Sequence, residues 1–281
     1  MDEPSAPTLD ALLPAGMARK AEAIGEAKAA LGAAKLLVLS VLAGAFIAFG
    51  AVFSTVATSS GSSGPMRVLG GLTFSLGLVL VVIGGAELFT GNNLIVMAWA
   101  GRRVTLRQLL RNWVIVYVGN LVGAMSVSFA VVVSGHAESG GGAIGRRALD
   151  IAAAKSTLGF GRAVVLGVLA NVLVCLAVWL TFSARTVIDK IAAIVLPVTA
   201  FVAAGFEHSI ANMYFLPTGI LLRAWAPDRF WATIGATPSD YSAVDWHGFV
   251  SNLVPVTIGN VIGGAGLVGL VYWFVYLRDA A

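Results

Sequence analysis

The chain has 281 residues, 58% of them hydrophobic and only 11% charged, which is too little polar surface for a soluble domain and is the composition of a polytopic membrane protein. The formal charge of +4 says little about substrate, because Lys and Arg gather on the inner side of membrane proteins in general. A lone cysteine, Cys175, inside an apolar run excludes a disulfide framework and a thiolate metal cluster and reads as packing.

Residues 1–35 place Leu9, Leu13, Met17, Ile24 and Leu31 at helical spacing, with Arg19, Lys20, Glu22, Glu26 and Lys28 on the other faces. The pattern predicts an amphipathic cytoplasmic helix lying at the membrane surface; the plainer reading is a solvated arm leading into the first span. It holds no compact apolar run of the kind a cleaved signal needs. Six apolar segments follow, at 36–57, 68–99, 108–134, 162–183, 189–223 and 248–276, so residues 36–281 read as one six-helix transmembrane domain. A straight span needs about 20 residues. The second and fifth segments exceed that and are interrupted by Gly, Asn and a carboxylate, so each is predicted to be two half-helices around an irregular loop. Lipid tolerates such a loop only where it lines a cavity or is buried in protein.

With both termini inside, the cytoplasmic face collects Arg19, Lys20, Lys28, Lys35, Arg102, Arg103, Arg107, Arg111, Arg185, Lys190 and Arg278, which is 11 of the 18 Lys and Arg residues. That asymmetry predicts a multi-pass protein of the cell's inner (cytoplasmic) membrane with N- and C-termini in the cytoplasm.

The halves repeat. Glu87-Leu-Phe-Thr-Gly-Asn92 in the second span matches Glu207-His-Ser-Ile-Ala-Asn212 in the fifth, with Gly85 and Gly205 two residues before each glutamate. Asn112-x6-Gly119-Asn120-Leu-Val-Gly123 is echoed by Asn252-x6-Gly259-Asn260-Val-Ile-Gly263. Two three-helix units follow, and because three is odd they enter the membrane in opposite orientation. Inverted repeats with paired broken helices place a binding or conduction site near the midplane, where half-helix ends meet and their dipoles attract anions. The Gly-x3-Gly pairs read as close helix contacts.

Ionisable residues in lipid mark a pathway or site. His208 is the one histidine within a span, His136 and His247 falling near outer loops. As a metal ligand it lacks partners at ligand spacing, and no metal or cofactor is expected. As a core histidine it needs a hydrogen-bond partner from the facing repeat, and as a proton-exchanging group beside an anion path it has the right titration range. Glu87 and Glu207, at equivalent positions, read as scaffold that accepts hydrogen bonds from loop N–H groups freed by the helix breaks, with Asn92 and Asn212 completing those networks. No nucleophile or metal motif accompanies the two carboxylates, so an enzyme is not expected. Asn171 and Asn260 lie within apolar helices and either line a pore or bond neighbouring helices. Lys155, after the run Ser139-Gly-Gly-Gly142, reads as a loop lysine, either merely solvated or concentrating anions at a funnel mouth.

These residues resemble the formate/nitrite transporters, and most closely the formate channels among them. The likeness runs from Leu12-Leu13-Pro14-Ala15-Gly16-Met17-Ala18 to Leu277-Arg278 and includes Glu87-Leu-Phe-Thr90, Asn112-Trp113, Gly119-Asn-Leu-Val-Gly-Ala124, Val174-Cys-Leu-Ala-Val-Trp179, Gly205-Phe-Glu-His-Ser-Ile-Ala-Asn-Met213 and Pro255-Val-Thr-Ile-Gly-Asn260. It implies an all-α, aquaporin-like protomer in a homopentamer, each with its own pore for small monovalent anions such as formate and nitrite. By resemblance His208 is the central pore histidine and Thr90 its polar partner; Phe74, Leu78, Phe89 and Phe201 form apolar constrictions. Lys155 and Asn171 match polar groups near the outer vestibule, Asn260 a pore-side asparagine, and the N-terminal helix a segment that influences gating. Glu87 and Gly91-Asn92-Asn93 look more like the nitrite-type branch. Formate passage is therefore the expectation, with His208 supplying either a transient counter-charge or a proton that lets the weak acid cross neutral; the alternatives are nitrite, acetate or hydrosulfide on the same fold, or a neutral-solute channel. No nucleic-acid partner is expected.

Overall fold

The computed structural model describes residues 11–280, so Leu9 and the start of the expected N-terminal helix lie outside it. Over the described residues the chain is helical throughout, without a strand. A surface helix, α1 (Pro14–Ala29), precedes the first span, α2 (Ala33–Ala57). The second span is α3 (Gly64–Gly84), a loop, the short α4 (Phe89–Asn92), a 3₁₀ turn and α5 (Val96–Ala100); the third is α6 (Leu106–Val133). In the second half α7 (Ala143–Ser156) leads to the fourth span α8 (Phe160–Ser183), the fifth is α9 (Val187–Ala204) and α10 (Ser209–Trp225), and α11 (Asp228–Ile234) precedes the sixth, α12 (Trp246–Val261) with α13 (Val271–Tyr276). Six helical runs are long and apolar enough to cross a membrane.

Both breaks fall where the repeat places them. Helix α3 ends at Gly85 with φ 78° and α9 at Gly205 with φ 74°, left-handed conformations that cost an L side chain and suit glycine. Beyond the breaks the halves differ: α10 is one helix of 17 residues, whereas 89–100 is two short helices about a 3₁₀ turn.

The repeated glycines set how closely the spans pack. A Cβ on Gly123 would strike the Val41 carbonyl, and one on Gly259 the Val164 carbonyl. Helices α2 with α6, and α8 with α12, thus meet backbone to backbone, as small residues permit where no hydrophobic force separates lipid from protein. Between α12 and α13 lie nine residues of π-helix, Ile262–Leu270, where the apolar pattern predicts a plain span. Gly264 lets this wider segment press on Asn171 and Cys175.

Two helices differ from the sequence reading. Residues expected as a flexible loop form α7 directly after Gly140, Gly141 and Gly142, all at positive φ, so the glycine run is a lead-in rather than the whole segment. Helix α1 does not leave its apolar face to lipid. Met17, Ala18 and Ala21 are buried in a cluster with Leu94, Met97 and Trp179, and the ammonium of Lys20 donates to the Phe182 carbonyl at 2.8 Å.

Candidate functional site: a duplicated polar frame around His208 and Thr90

Each break is held by the same set of hydrogen bonds. In the first half Glu87 accepts from Lys28 Nζ at 2.8 Å and from Asn92 Nδ2 at 2.7 Å. Asn92 also donates to Asn112 Oδ1, and Asn112 returns to the Lys28 carbonyl at 3.1 Å. In the second half Glu207 accepts from Lys155 Nζ at 2.8 Å and Asn212 Nδ2 at 2.7 Å, Asn212 donates to Asn252, and Asn252 to the Lys155 carbonyl at 3.1 Å. A buried carboxylate without its cation would cost several kcal/mol, so these partners are what make the glutamates tolerable at this depth.

The backbone freed by each break goes elsewhere than expected. The carboxylates take no loop N–H; that duty falls to asparagines on the facing helices. Asn120 Oδ1 accepts from Phe89 N–H at 2.9 Å while its amide donates to the carbonyls of Ser40 and Glu87. Asn260 Oδ1 accepts from Ser209 N–H at 2.9 Å while its amide donates to Gly167 and Glu207. Asn260 therefore stands in the frame and not at a pore surface.

The histidine is an addition to this frame, since Leu88 holds its place in the first half. It caps α10: Nδ1 accepts from Ala211 N–H at 3.1 Å. With Nδ1 an acceptor, the ring proton sits on Nε2, which lies 2.9 Å from Thr90 Oγ1 and donates to it. The hydroxyl hydrogen of Thr90 is then left for another acceptor. Thr90 is itself fixed from behind, its carbonyl receiving Asn171 Nδ2 at 3.4 Å and Cys175 Sγ at 3.3 Å, while Asn171 also donates to Asn93 Oδ1 at 2.8 Å and the Asn260 carbonyl at 2.7 Å. Asn171, expected near a vestibule, is fully buried and positions Thr90.

Two cavities approach this pair from opposite ends. One, of about 310 Å³, is bordered by Phe74, Phe201, His208, Lys155, Arg67 and Arg147. The other, of about 320 Å³, is bordered by Leu78, Leu88, Glu87, Lys28, Lys20 and Lys190. Phe74 and Leu78, one turn apart on α3, thus face different cavities. Phe201 stacks on the His208 ring with centroids 5.8 Å apart and meets Phe74 edge-on at 5.8 Å. Phe89 does not join them: it packs against Tyr117 at 4.9 Å and Trp113 at 6.1 Å and borders neither cavity. The apolar residue at the second cavity's inner end is its neighbour Leu88.

Lys155 is on the last turn of α7 rather than in a loop, and its charge is matched by Glu207. Lys28, which sequence reasoning left on a helix face, is its counterpart. The signal was present: Arg19-x8-Lys28-x2-Leu31-Gly32 recurs as Arg146-x8-Lys155-x2-Leu158-Gly159, so the repeat includes α1 and α7.

Six spans, two broken at matching glycines, and two cavities, one reaching His208 and the other ending at Leu88 and Gly91 on either side of Thr90 in sequence, define a membrane channel or transporter. The chain belongs to the formate/nitrite transporter family, whose sequence profile, described as Formate/nitrite transporter, matches residues 15–274. It is 47% identical over 274 residues to the Formate channel FocA of Escherichia coli K12, covering 96% of each chain. It is 39% identical to a Probable formate transporter of Methanothermobacter thermautotrophicus, over 95% of this chain and 97% of the relative. Among solved structures, one titled Pentameric formate channel with formate bound superposes with a TM-score of 0.83 at 44% identity, covering 88% of this chain and 98% of the other. An FNT family ion channel superposes with a TM-score of 0.79 at 28% identity, covering 92% and 98%.

Proposed function

We propose that each protomer of a homopentamer passes small monovalent anions, formate foremost, between the two cavities by way of His208 and Thr90. The observation that carries this is the His208 Nε2–Thr90 Oγ1 contact of 2.9 Å, set where the cavities approach each other. A bare anion is costly in an apolar constriction, and the hydroxyl hydrogen that Thr90 has to offer is a donor there at no charge cost. Phe74 and Phe201 on one side and Leu78 and Leu88 on the other strip water before the anion reaches it. Lys28, Glu87, Asn92 and Asn120 hold one loop, and Lys155, Glu207, Asn212 and Asn260 hold the other. The two frames, built on the same lysine, glutamate and asparagine positions, support two units inserted in opposite senses. The gathering of 11 of the 18 Lys and Arg residues on one face supports residues 36–281 as the channel domain of an inner-membrane protein with α1 and both termini on the cytoplasmic side.

Proton coupling meets a specific obstacle. A second proton on the ring would land on Nδ1 and face the Ala211 N–H, so His208 must leave its cap before it charges. The named relatives favour formate over nitrite, acetate or hydrosulfide. Competition among these four in one reconstituted flux assay tests the reading: formate is expected to pass and to be displaced most strongly by anions of its own size and charge. Passage of water or glycerol without any anion flux would sink it.

A further inference from the structure

The cavities differ in the cations they leave unneutralised. Lys28 and Lys155 each close an ion pair with a buried glutamate, so neither adds net charge to its cavity. What remains at the His208 side is Arg67 and Arg147, and at the Glu87 side Lys20 and Lys190. Arg147 and Lys20 occupy the same repeat position, eight residues before the paired lysine. One mouth therefore carries guanidinium where the other carries ammonium.

The arginines are held but not satisfied. Arg147 Nε donates to Thr58 Oγ1 at 3.1 Å, which fixes the plane of the guanidinium while its terminal amino groups have no hydrogen-bond partner among the described residues. Asp150 attracts it without forming an ion pair, one Asp150 oxygen being taken by the Tyr241 hydroxyl at 2.9 Å. Arg67, on the first turn of α3, has no side-chain hydrogen bond or ion pair among the described residues, and its Nη2 hangs over Gly205, 2.9 Å from where a Cβ would stand. The two charges feel each other: burial, and Arg67 against the pull of Asp150, bring the Arg147 guanidinium below its ordinary value. Two like charges bordering one cavity, neither closed into an ion pair, repel each other, and an anion between them relieves that repulsion.

We propose that Arg67 and Arg147 form a capture site for a two-oxygen monovalent anion, a carboxylate or nitrite, at the His208-side mouth alone. A guanidinium offers paired donors that match two oxygens, whereas an ammonium is a point charge indifferent to shape. The Glu87-side cavity is lined by lysines in the equivalent place, Arg185 lying near Lys20 but outside that lining, so its wall draws anions by charge only. The site rests on the anion passage proposed above.

Two measurements on the full-length protein separate the claims. In liposomes of defined sidedness, formate entering from the Arg67 side is expected to half-saturate at a concentration roughly three- to tenfold lower than from the other side, the range of a partly solvated charge-assisted hydrogen bond. The Arg67→Gln/Arg147→Gln pair and the Arg67→Lys/Arg147→Lys pair should both abolish that difference for formate and leave hydrosulfide entry in the Lys pair unchanged. Wild-type half-saturation in the Lys pair overturns the fork, and in the Gln pair it overturns the site. Independently of conduction, formate but not chloride should protect Arg67 and Arg147 from phenylglyoxal, read by peptide mass spectrometry. No protection overturns the capture site even if formate passes, whereas protection without passage keeps the site and removes the transport reading.

Discussion

The lysine–glutamate pairs show how residue chemistry decides between a functional and a structural role. Glu87 and Glu207 sit at equivalent depth with the same partners, yet the Lys155 side chain is 14% exposed and that of Lys28 29%. A less solvated charge is costlier to strand. Both Glu87→Gln and Glu207→Gln are expected to destabilise the protein, with Glu207→Gln the more severe, at roughly 3–5 kcal/mol. Thermal unfolding of the purified variants checks the order, and equal midpoints would show that the frames are not loaded as their burial implies. The sequence made the glutamates legible as scaffold because they repeat. The neighbours are less legible: the resemblance puts a constriction at Phe89, whereas Leu88 borders the cavity, and no periodicity survives across the helix break to tell the two apart. Asn171 and Asn260 look alike in sequence, each an amide within an apolar helix, and the contacts show that one backs Thr90 and the other holds the Glu207 loop.

At the scale of elements, α1 is seated on the channel domain, where its buried residues pack against Leu94, Met97 and Trp179. Its seating involves Glu22, whose carboxylate approaches Arg103 at 3.9 Å and whose carboxyl burial pushes above the ordinary value against that pull. A raised carboxyl favours the protonated, docked helix. Docking is therefore weakest above the raised value and strengthens as pH falls from there to the ordinary carboxylate value, below which it gains nothing more. The Arg103 side chain that faces it is 62% exposed, so the effect is under about 1 kcal/mol. Amide exchange in α1, corrected for its intrinsic pH dependence, should slow over that window, and the Glu22→Gln variant should show no such change. Faster exchange on acidification in wild type would contradict the seating. The broken spans were readable because Gly85 and Gly205 stop helices that composition would continue. Helix α7 was not, because three glycines masked a short helix whose apolar face is set by contacts with α10, and the π-segment was not, because it keeps the composition of an ordinary span.

At the scale of the molecule, the described surface is strongly apolar, with Val38, Val114, Val118, Leu196 and Phe274 among its exposed side chains. Lipid accounts for such a surface, and so do sister protomers; the pentamer proposed for this chain is expected as a single five-subunit species in native mass spectrometry from detergent, and a monomer stable under the same conditions would remove it. Everything else converges on one contact. The repeat builds two loops alike, and His208 and Thr90, where the other loop has Leu88 and Ile210, are departures from that likeness that bond to each other. Formate flux into liposomes, measured across pH for wild type, His208→Phe and Thr90→Val, tests it most directly. Loss of the donor pair should reduce flux at least about tenfold, the effect of stranding or deleting one buried hydrogen bond worth roughly 1–3 kcal/mol. The pH dependence should change with His208→Phe. Wild-type flux with wild-type pH dependence in both variants would contradict the account.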